Sequence, residues 1–124
     1  MTKCYYAHCV AIYNTAQEQR DIVTLRTLGL EVYNPNNPEV DAAVRAMKAS
    51  GNDDYMDYFK NLVEACDVFA FRALPDGRIP AGVALELMTA MKHKMQVLEL
   101  PNGVLGRMMS VDATREYLRD VGQR

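Results

Sequence analysis

Residues 67 to 100 read DVFAFRALPDGRIPAGVALELMTAMKHKMQVLEL, and this stretch decides the fold. It opens with DVFAFRA, a short apolar run that is typical of a strand buried on both faces. The turn LPDGR leads to Pro80, which suits the first position of a helix over residues 80–93. MQVLEL, at 95–100, then predicts a further strand. Two strands joined by a helix indicate a βαβ unit, in which the strands run parallel.

The same alternation extends toward the N-terminus. KCYYAHCV, at residues 3–10, is dense in β-favouring residues and predicts the first strand. Thr15 and Glu18 form a capping box that starts a helix, and Gly29 marks its end. LEVYNP, at 30–35, predicts the second strand. Three more helices are predicted over residues 41–50, after an N-cap and proline within 36–38, over 54–66, and over 111–120.

Strands that alternate with helices predict an α/β fold of the flavodoxin or Rossmann kind. We expect a three-layer sandwich with a mainly parallel sheet of four to five strands, formed by one domain that spans residues 1–124. In such sheets the ligand crevice lies at the carboxyl ends of the strands. That rule selects residues 8–15, 34–38 and 72–80 and the loop after Leu100. Asn34, which follows the second strand, is therefore a candidate ligand contact.

Composition and charge exclude several classes of partner and cofactor. The chain is 49% hydrophobic and has a net charge of −2 with no basic stripe, so we expect no nucleic-acid polymer as a partner. No segment suits a membrane span or a secretory signal, which predicts a cytoplasmic protein that does not enter membranes. The sequence has no GxGxxG and no GxxxxGK[ST] motif, and we expect no cofactor.

The three cysteines do not indicate a disulfide framework or a metal site. Their number is odd and they lack CxxC spacing, which favours small buried side chains over disulfides. Cys4, His8 and Cys9 are residue types that bind metals. Alternation along a strand nevertheless puts Cys4 and His8 on one face and Cys9 on the other, so we expect no metal.

Glu86 is a single acid within a run of small and apolar residues, PAGVALELMTA. Its neighbours one helical turn away include Gly82 and Ala90, and none of them is basic. Burying an unpaired carboxylate costs several kcal/mol, so Glu86 lies either at the polar edge of the helix or in a site where it performs chemistry. The small face around Gly82 would let a ligand approach closely.

Other candidate residues lie near the same edge of the sheet. His8 at the end of the first strand is a candidate for ligand binding or acid-base chemistry. Arg72 and Arg78 flank the turn after the third strand, where they either meet a phosphate or are surface arginines. Tyr5 and Tyr6 point to opposite faces of their strand, and alternation alone leaves open which of them reaches the crevice.

The order of these features resembles a known family. CDVFAFRA, a short turn and AGVALELMTAMKHKMQVLEL resemble the nucleoside 2-deoxyribosyltransferase-like family, which includes deoxynucleoside 5′-monophosphate N-glycosidases. KCYYAHC and LGLEVYNP fit the same scheme. The resemblance covers residues 3–100 in outline, and G-x-x-x-E-L, from Gly82 to Leu87, is its most specific motif. Small stand-alone proteins of this kind are similar to phage-borne members of the family.

The resemblance implies roles for particular residues. Glu86 would be the nucleophile that attacks the anomeric carbon of a deoxyribose and displaces the base. The tyrosine that sits beside the nucleophile falls on Tyr5 or its neighbour Tyr6. Two acids that are common in the family fall here on Pro80 and Phe59, and Asp57 is the nearest substitute for the second. A lost general acid would weaken departure of the base by about 10²- to 10⁴-fold.

Two functions of different classes follow from this resemblance. The first is an enzyme that cleaves or transfers the N-glycosidic bond of a nucleoside or nucleotide, with His8, Asp57 or Arg78 handling the base and any phosphate. The second is a non-catalytic protein that holds and sequesters a nucleotide or a nucleotide-derived signal, as a phage counter-defence protein would. The family often completes one subunit's pocket with residues of the next, so a homodimer or higher homo-oligomer is expected.

Overall fold

The computed structural model describes residues 1–52, 55–101 and 108–123. Within these ranges four strands form one parallel sheet, which confirms the predicted α/β class. The strands are β1 (Lys3–Ala7), β2 (Glu31–Tyr33), β3 (Val68–Phe71) and β4 (Gln96–Glu99), and the helices are α1 (Ala16–Thr27), α2 (Pro38–Ala49), α3 (Met56–Glu64), α4 (Ala81–Lys92) and α5 (Val111–Asp120). The strand order across the sheet is β2-β1-β3-β4.

Helices pack on both faces of the sheet and give it two hydrophobic cores. On one face, Ile22 and Leu25 of α1 pack against the side chains of β1 and β3 that point toward them. On the opposite face, Val63 of α3 joins Val83 and Ala90 of α4 in the second core. The three-layer arrangement of the flavodoxin or Rossmann kind is therefore confirmed.

The first strand is shorter than the sequence predicted. It was expected over residues 3–10 but ends at Ala7, where its partner on β3 is Phe71, the last residue of that strand. A strand continues only where a neighbour supplies backbone partners. Beyond Ala7 the chain leaves the sheet and forms a single 3₁₀ turn at Val10–Ile12.

The helix starts follow the capping residues that the sequence offered. The Thr15 hydroxyl accepts a hydrogen bond from the Glu18 amide at 3.3 Å, and the Asn37 side chain accepts one from the Val40 amide at 2.9 Å. Gly29 follows α1 with φ of +84°, a conformation that glycine adopts without strain. Only one of the two hydrogen bonds of the capping box forms, because the Glu18 carboxylate contacts His8 and the Asn14 amide instead of the Thr15 amide.

Some expectations concern residues beyond the described ranges. Residues 102–107, which make up most of the loop after Leu100, and the first residue of the helix predicted over 54–66 lie outside them. None of the helices in the described part of the chain has the length and apolar character that a bilayer crossing requires. The described residues also contain no cluster of three or more histidine, cysteine or acidic side chains placed to hold a metal ion.

A buried ion pair joins α1 to the end of β3. The Arg72 guanidinium donates two hydrogen bonds to the Asp21 carboxylate, at 2.6 and 2.7 Å, and both residues are buried. The Tyr6 hydroxyl donates a third, at 2.6 Å. Burial by itself would raise the pKa of Asp21, but the bonds from Arg72, Tyr6 and Gln17 outweigh it and hold the pKa below its usual value.

We predict that Arg72→Ala lowers the free energy of unfolding by about 3–5 kcal/mol, because it leaves the Asp21 carboxylate buried without its cation. Urea unfolding at neutral pH measures this change. Arg78→Ala is the matched control, since Arg78 forms an exposed pair with Asp76 at 2.6 Å. Breaking that pair should have little effect on stability, because water solvates both exposed side chains when they separate. Equal effects of the two substitutions would contradict the structural role assigned to Arg72.

Candidate functional site

A cavity of about 210 Å³ opens at the carboxyl edge of the sheet. Its wall is formed by the end of β1, the turn that follows β1, the loop after β2 and the first turns of α3 and α4. In the order β2-β1-β3-β4 the chain leaves β1 toward β2 on one side and leaves β3 toward β4 on the other, so the strand order reverses between β1 and β3. Ligands of open α/β sheets bind where the strand order reverses in this way.

Glu86 lies in this cavity and is hydrogen-bonded to the first strand. It is only 7% exposed, and its carboxylate accepts a hydrogen bond from the Tyr5 hydroxyl. Tyr5 is fully buried, and its ring stacks between Tyr33 and Phe69 at centroid distances of 6.0 and 5.9 Å. Because the tyrosine is held on both faces, it fixes the position of the carboxylate.

The protonation of Glu86 differs from that of an ordinary surface acid. Burial raises its pKa from 4.5 to about 7, although the hydrogen bond from Tyr5 acts in the opposite direction. Burial and then the adjacent Glu86 charge raise the pKa of Tyr5 above its usual value. Near neutral pH, Tyr5 is therefore a hydrogen-bond donor, and Glu86 exists in both its neutral and its ionised form.

A second buried acid, Glu18, holds the histidine at the end of β1. Its carboxylate lies 2.8 Å from His8 Nε2, and His8 Nδ1 lies 3.1 Å from the Tyr6 carbonyl. Glu18 also accepts hydrogen bonds from the Asn14 amide and the Asn36 side chain. Burial would raise the Glu18 pKa, but these donors outweigh it and lower the pKa. Both ring nitrogens of His8 therefore face an oxygen acceptor, and these two contacts fix the orientation of the ring.

The structure brings four of the predicted site residues together. Tyr5, His8, Gly82 and Glu86 all line the cavity. Tyr6 does not: its hydroxyl points to the opposite face and bonds Asp21, and its ring stacks on His8 at 3.8 Å. The question that strand alternation left open is thus answered by the packing, since Tyr5 is the tyrosine beside Glu86.

The remaining candidates lie away from the cavity. The Arg72 guanidinium is occupied by Asp21 on the α1 side of the sheet, and Arg78 is exposed and paired with Asp76. Asp57 is exposed, with a carboxylate oxygen 3.6 Å from Lys60 Nζ. Asn34 supports its own loop, accepting a hydrogen bond from the Asn36 amide at 2.9 Å. None of these four side chains lines the described wall of the Glu86 cavity.

Two buried acids of α1 were not among the site residues predicted from the sequence. Glu18 and Asp21 share an inward helical stripe with Ile22 and Leu25, at the spacing that core-facing positions of a helix take. An acid at such a position signals a buried polar contact. That signal was available, but Glu18 also fits a capping box, which gave it another explanation.

Comparisons of the chain with protein-family models, with curated proteins and with solved structures found no match. The family resemblance seen in the sequence therefore stays a hypothesis. What the geometry provides is a buried carboxylate with a raised pKa, held by a fixed tyrosine and opening into a cavity. Such a constellation is typical of functional sites.

We predict that Glu86→Gln makes stability less dependent on pH. The folded chain holds the Glu86 proton up to a pKa of about 7, whereas the unfolded chain releases it near 4.5. The contribution of Glu86 to the free energy of unfolding is therefore fully present below about pH 4.5. It is lost as the pH rises through about 7, and the total loss is about 3 kcal/mol. Urea unfolding from acid to neutral pH measures the decline, which glutamine should remove.

The matched control for this prediction is Glu116→Gln on the exposed surface of α5. It changes the same chemical group without removing a buried charge, so its stability profile should follow that of the wild type. A profile of Glu86→Gln that also follows the wild type would show that Glu86 titrates like a solvated acid.

Proposed function

We propose that this protein cleaves the N-glycosidic bond of a nucleoside or nucleotide, or transfers its sugar to another base, with Glu86 as the nucleophile. One observation carries the proposal: the Glu86 carboxylate is buried at the wall of a cavity and has a neutral phenol, not a cation, as its partner. Within the part of the chain that the structure describes, Glu86 is paired with Tyr5 alone, so positive charge does not compensate its nucleophilic oxygen. The family resemblance of the sequence supports the same role.

The proposed reaction proceeds in two steps. In the first, a Glu86 oxygen bonds to the anomeric carbon of the sugar as the bond to the base nitrogen breaks, and the bonding electron pair leaves with the base. The base then takes a proton from water. In the second step, water or another base attacks the glycosyl ester and restores the carboxylate. No metal or cofactor is required to balance these steps.

The dimensions of the site suit a ligand with two parts. The cavity at Glu86 is about 210 Å³, which is smaller than most pockets for whole drug-sized ligands. A second hollow of about 710 Å³ adjoins it, and both are lined by Val10, Tyr13, Pro35 and Phe59. We assign the sugar to the cavity beside Glu86 and the base to the adjoining hollow.

A second candidate function is favoured by the apolar wall of the cavity. Phe59 and Pro80 line it at the positions where the family resemblance leads one to expect acids. Among the described lining residues Glu86 is the only carboxylate, so none of them is a second carboxylic acid that would protonate a leaving base. A site of this kind would hold a nucleotide or a nucleotide-derived signal without turnover.

The proposed homo-oligomer rests on the family resemblance and on one exposed surface. Leu85, Met88 and Met91 of α4 are exposed, whereas Met95 packs against the core. Flexible methionine side chains adapt to a partner surface. Size-exclusion chromatography with light scattering measures the oligomeric state directly.

We predict that the wild type releases free base from deoxynucleosides or deoxynucleoside monophosphates and that Glu86→Gln abolishes the release, because the amide cannot form the glycosyl ester. Chromatography of the free base follows the reaction, and Glu116→Gln is the control. Thermal stabilisation by these compounds without any base release would instead support the binding function.

We predict that Tyr5→Phe moves the acidic limb of the pH profile to higher pH. The hydrogen bond from Tyr5 lowers the pKa of Glu86, so its loss should raise that pKa further. Wild-type kcat/KM should increase with pH through about 7 as Glu86 ionises. An unchanged limb in Tyr5→Phe would show that this hydrogen bond does not control the ionisation of the nucleophile.

A further inference from the structure

Tyr13 lies where the two hollows meet. It follows the 3₁₀ turn at Val10–Ile12 and lines both the Glu86 cavity and the larger hollow beside it. The sequence placed it only within a segment near the crevice. In the structure it is the one tyrosine that lines both hollows within the described residues.

The position of the Tyr13 ring is fixed by the protein. Its backbone amide donates to the Val10 carbonyl at 3.1 Å, and its ring packs against His8 at a centroid distance of 4.8 Å. His8 is itself immobilised by Glu18 and by the Tyr6 carbonyl. Glu18 therefore supports the position of the Tyr13 ring through His8.

The Tyr13 hydroxyl has no hydrogen-bond partner among residues 1–52, 55–101 and 108–123. The residue is half-buried, and burial raises its pKa to about 12, with the Glu86 and Glu18 charges acting in the same direction. The phenol stays neutral across the physiological range and has a proton to donate. A half-buried hydroxyl of this kind bonds to whatever occupies the cavity, which is water or a ligand.

The charges around Tyr13 indicate which part of a ligand it meets. Of the two acids that act on it, Glu18 is paired with His8, whereas Glu86 carries negative charge when ionised, so a phosphate beside Glu86 would be repelled. A neutral nucleobase with nitrogen and oxygen acceptors is not repelled. The larger hollow, to which we assign the base, begins at Tyr13.

We propose that Tyr13 is a further catalytic residue, whose hydroxyl donates a hydrogen bond to the nucleobase as the base leaves the sugar. This inference rests on the proposed N-glycosidic chemistry. When the bond between the anomeric carbon and the base nitrogen breaks, the electron pair moves onto the base, and a hydrogen bond stabilises that developing charge. The base then takes its proton from water, and Tyr13 remains neutral throughout. The donor partly replaces the acid that is absent at Pro80.

The test compares Tyr13→Phe with the wild type on two substrates. With a deoxynucleoside, loss of one donor to a developing negative charge should lower kcat by about 10²-fold, with a smaller change in KM. With a nitrophenyl 2-deoxyriboside, whose leaving group is stable as an anion, the loss should be less than about tenfold. Tyr117→Phe, which removes an exposed hydroxyl from α5, is the control and should match the wild type on both substrates.

Each outcome of this experiment decides between the inferences. A loss of kcat that is larger on the deoxynucleoside than on the nitrophenyl 2-deoxyriboside supports the role of Tyr13. An equal loss on both substrates overturns it in favour of a structural role, and so does activity equal to the wild type on both. A wild type that releases neither base nor nitrophenolate overturns the proposed function itself. Thermal unfolding of Tyr13→Phe verifies that the variant is folded.

Discussion

A carboxylate inside a protein stays there only if donors replace the water it has lost, and the first strand and the residue that follows it supply three such donors. Tyr5 donates to Glu86 and Tyr6 donates to Asp21, while His8, immediately after the strand, donates to Glu18. Because side chains alternate along β1, the first contact faces α4 and the second faces α1. One short strand thereby connects the polar interior on both sides of the sheet.

The three contacts differ in charge, and the pKa values of the three acids differ accordingly. Asp21 is paired with the Arg72 cation, and Glu18 is held by His8 and by amide donors, so both acids have lowered pKa values. Within the described residues Glu86 has a neutral phenol, Tyr5, as its partner, and burial raises its pKa to about 7. Of the three acids Glu86 is also the one that lines the cavity, and perturbed acids in cavities are typical of functional sites.

The βαβ order and the helix caps at Thr15 and Asn37 were predictable, because each depends on residues close together in the sequence. For Glu86 the sequence left both a polar edge and a reactive site open. The ends of the strands were less predictable, because β1 ends where its distant partner β3 ends. The fate of Arg72 was not predictable, because its partner Asp21 lies on a distant helix. The choice between Tyr5 and Tyr6 depended on which face α4 covers, and alternation contains no information about that.

The central place of β1 in the sheet has a consequence for biosynthesis. Of the four strands described, β1 is synthesised first, and it pairs with β2 on one side and with β3 on the other, so its second edge stays open until β3 has been made. Glu86 follows later still. A nascent chain that is interrupted before β3 would therefore present an unpaired tyrosine-rich edge, the kind of surface that chaperones cover and that promotes aggregation.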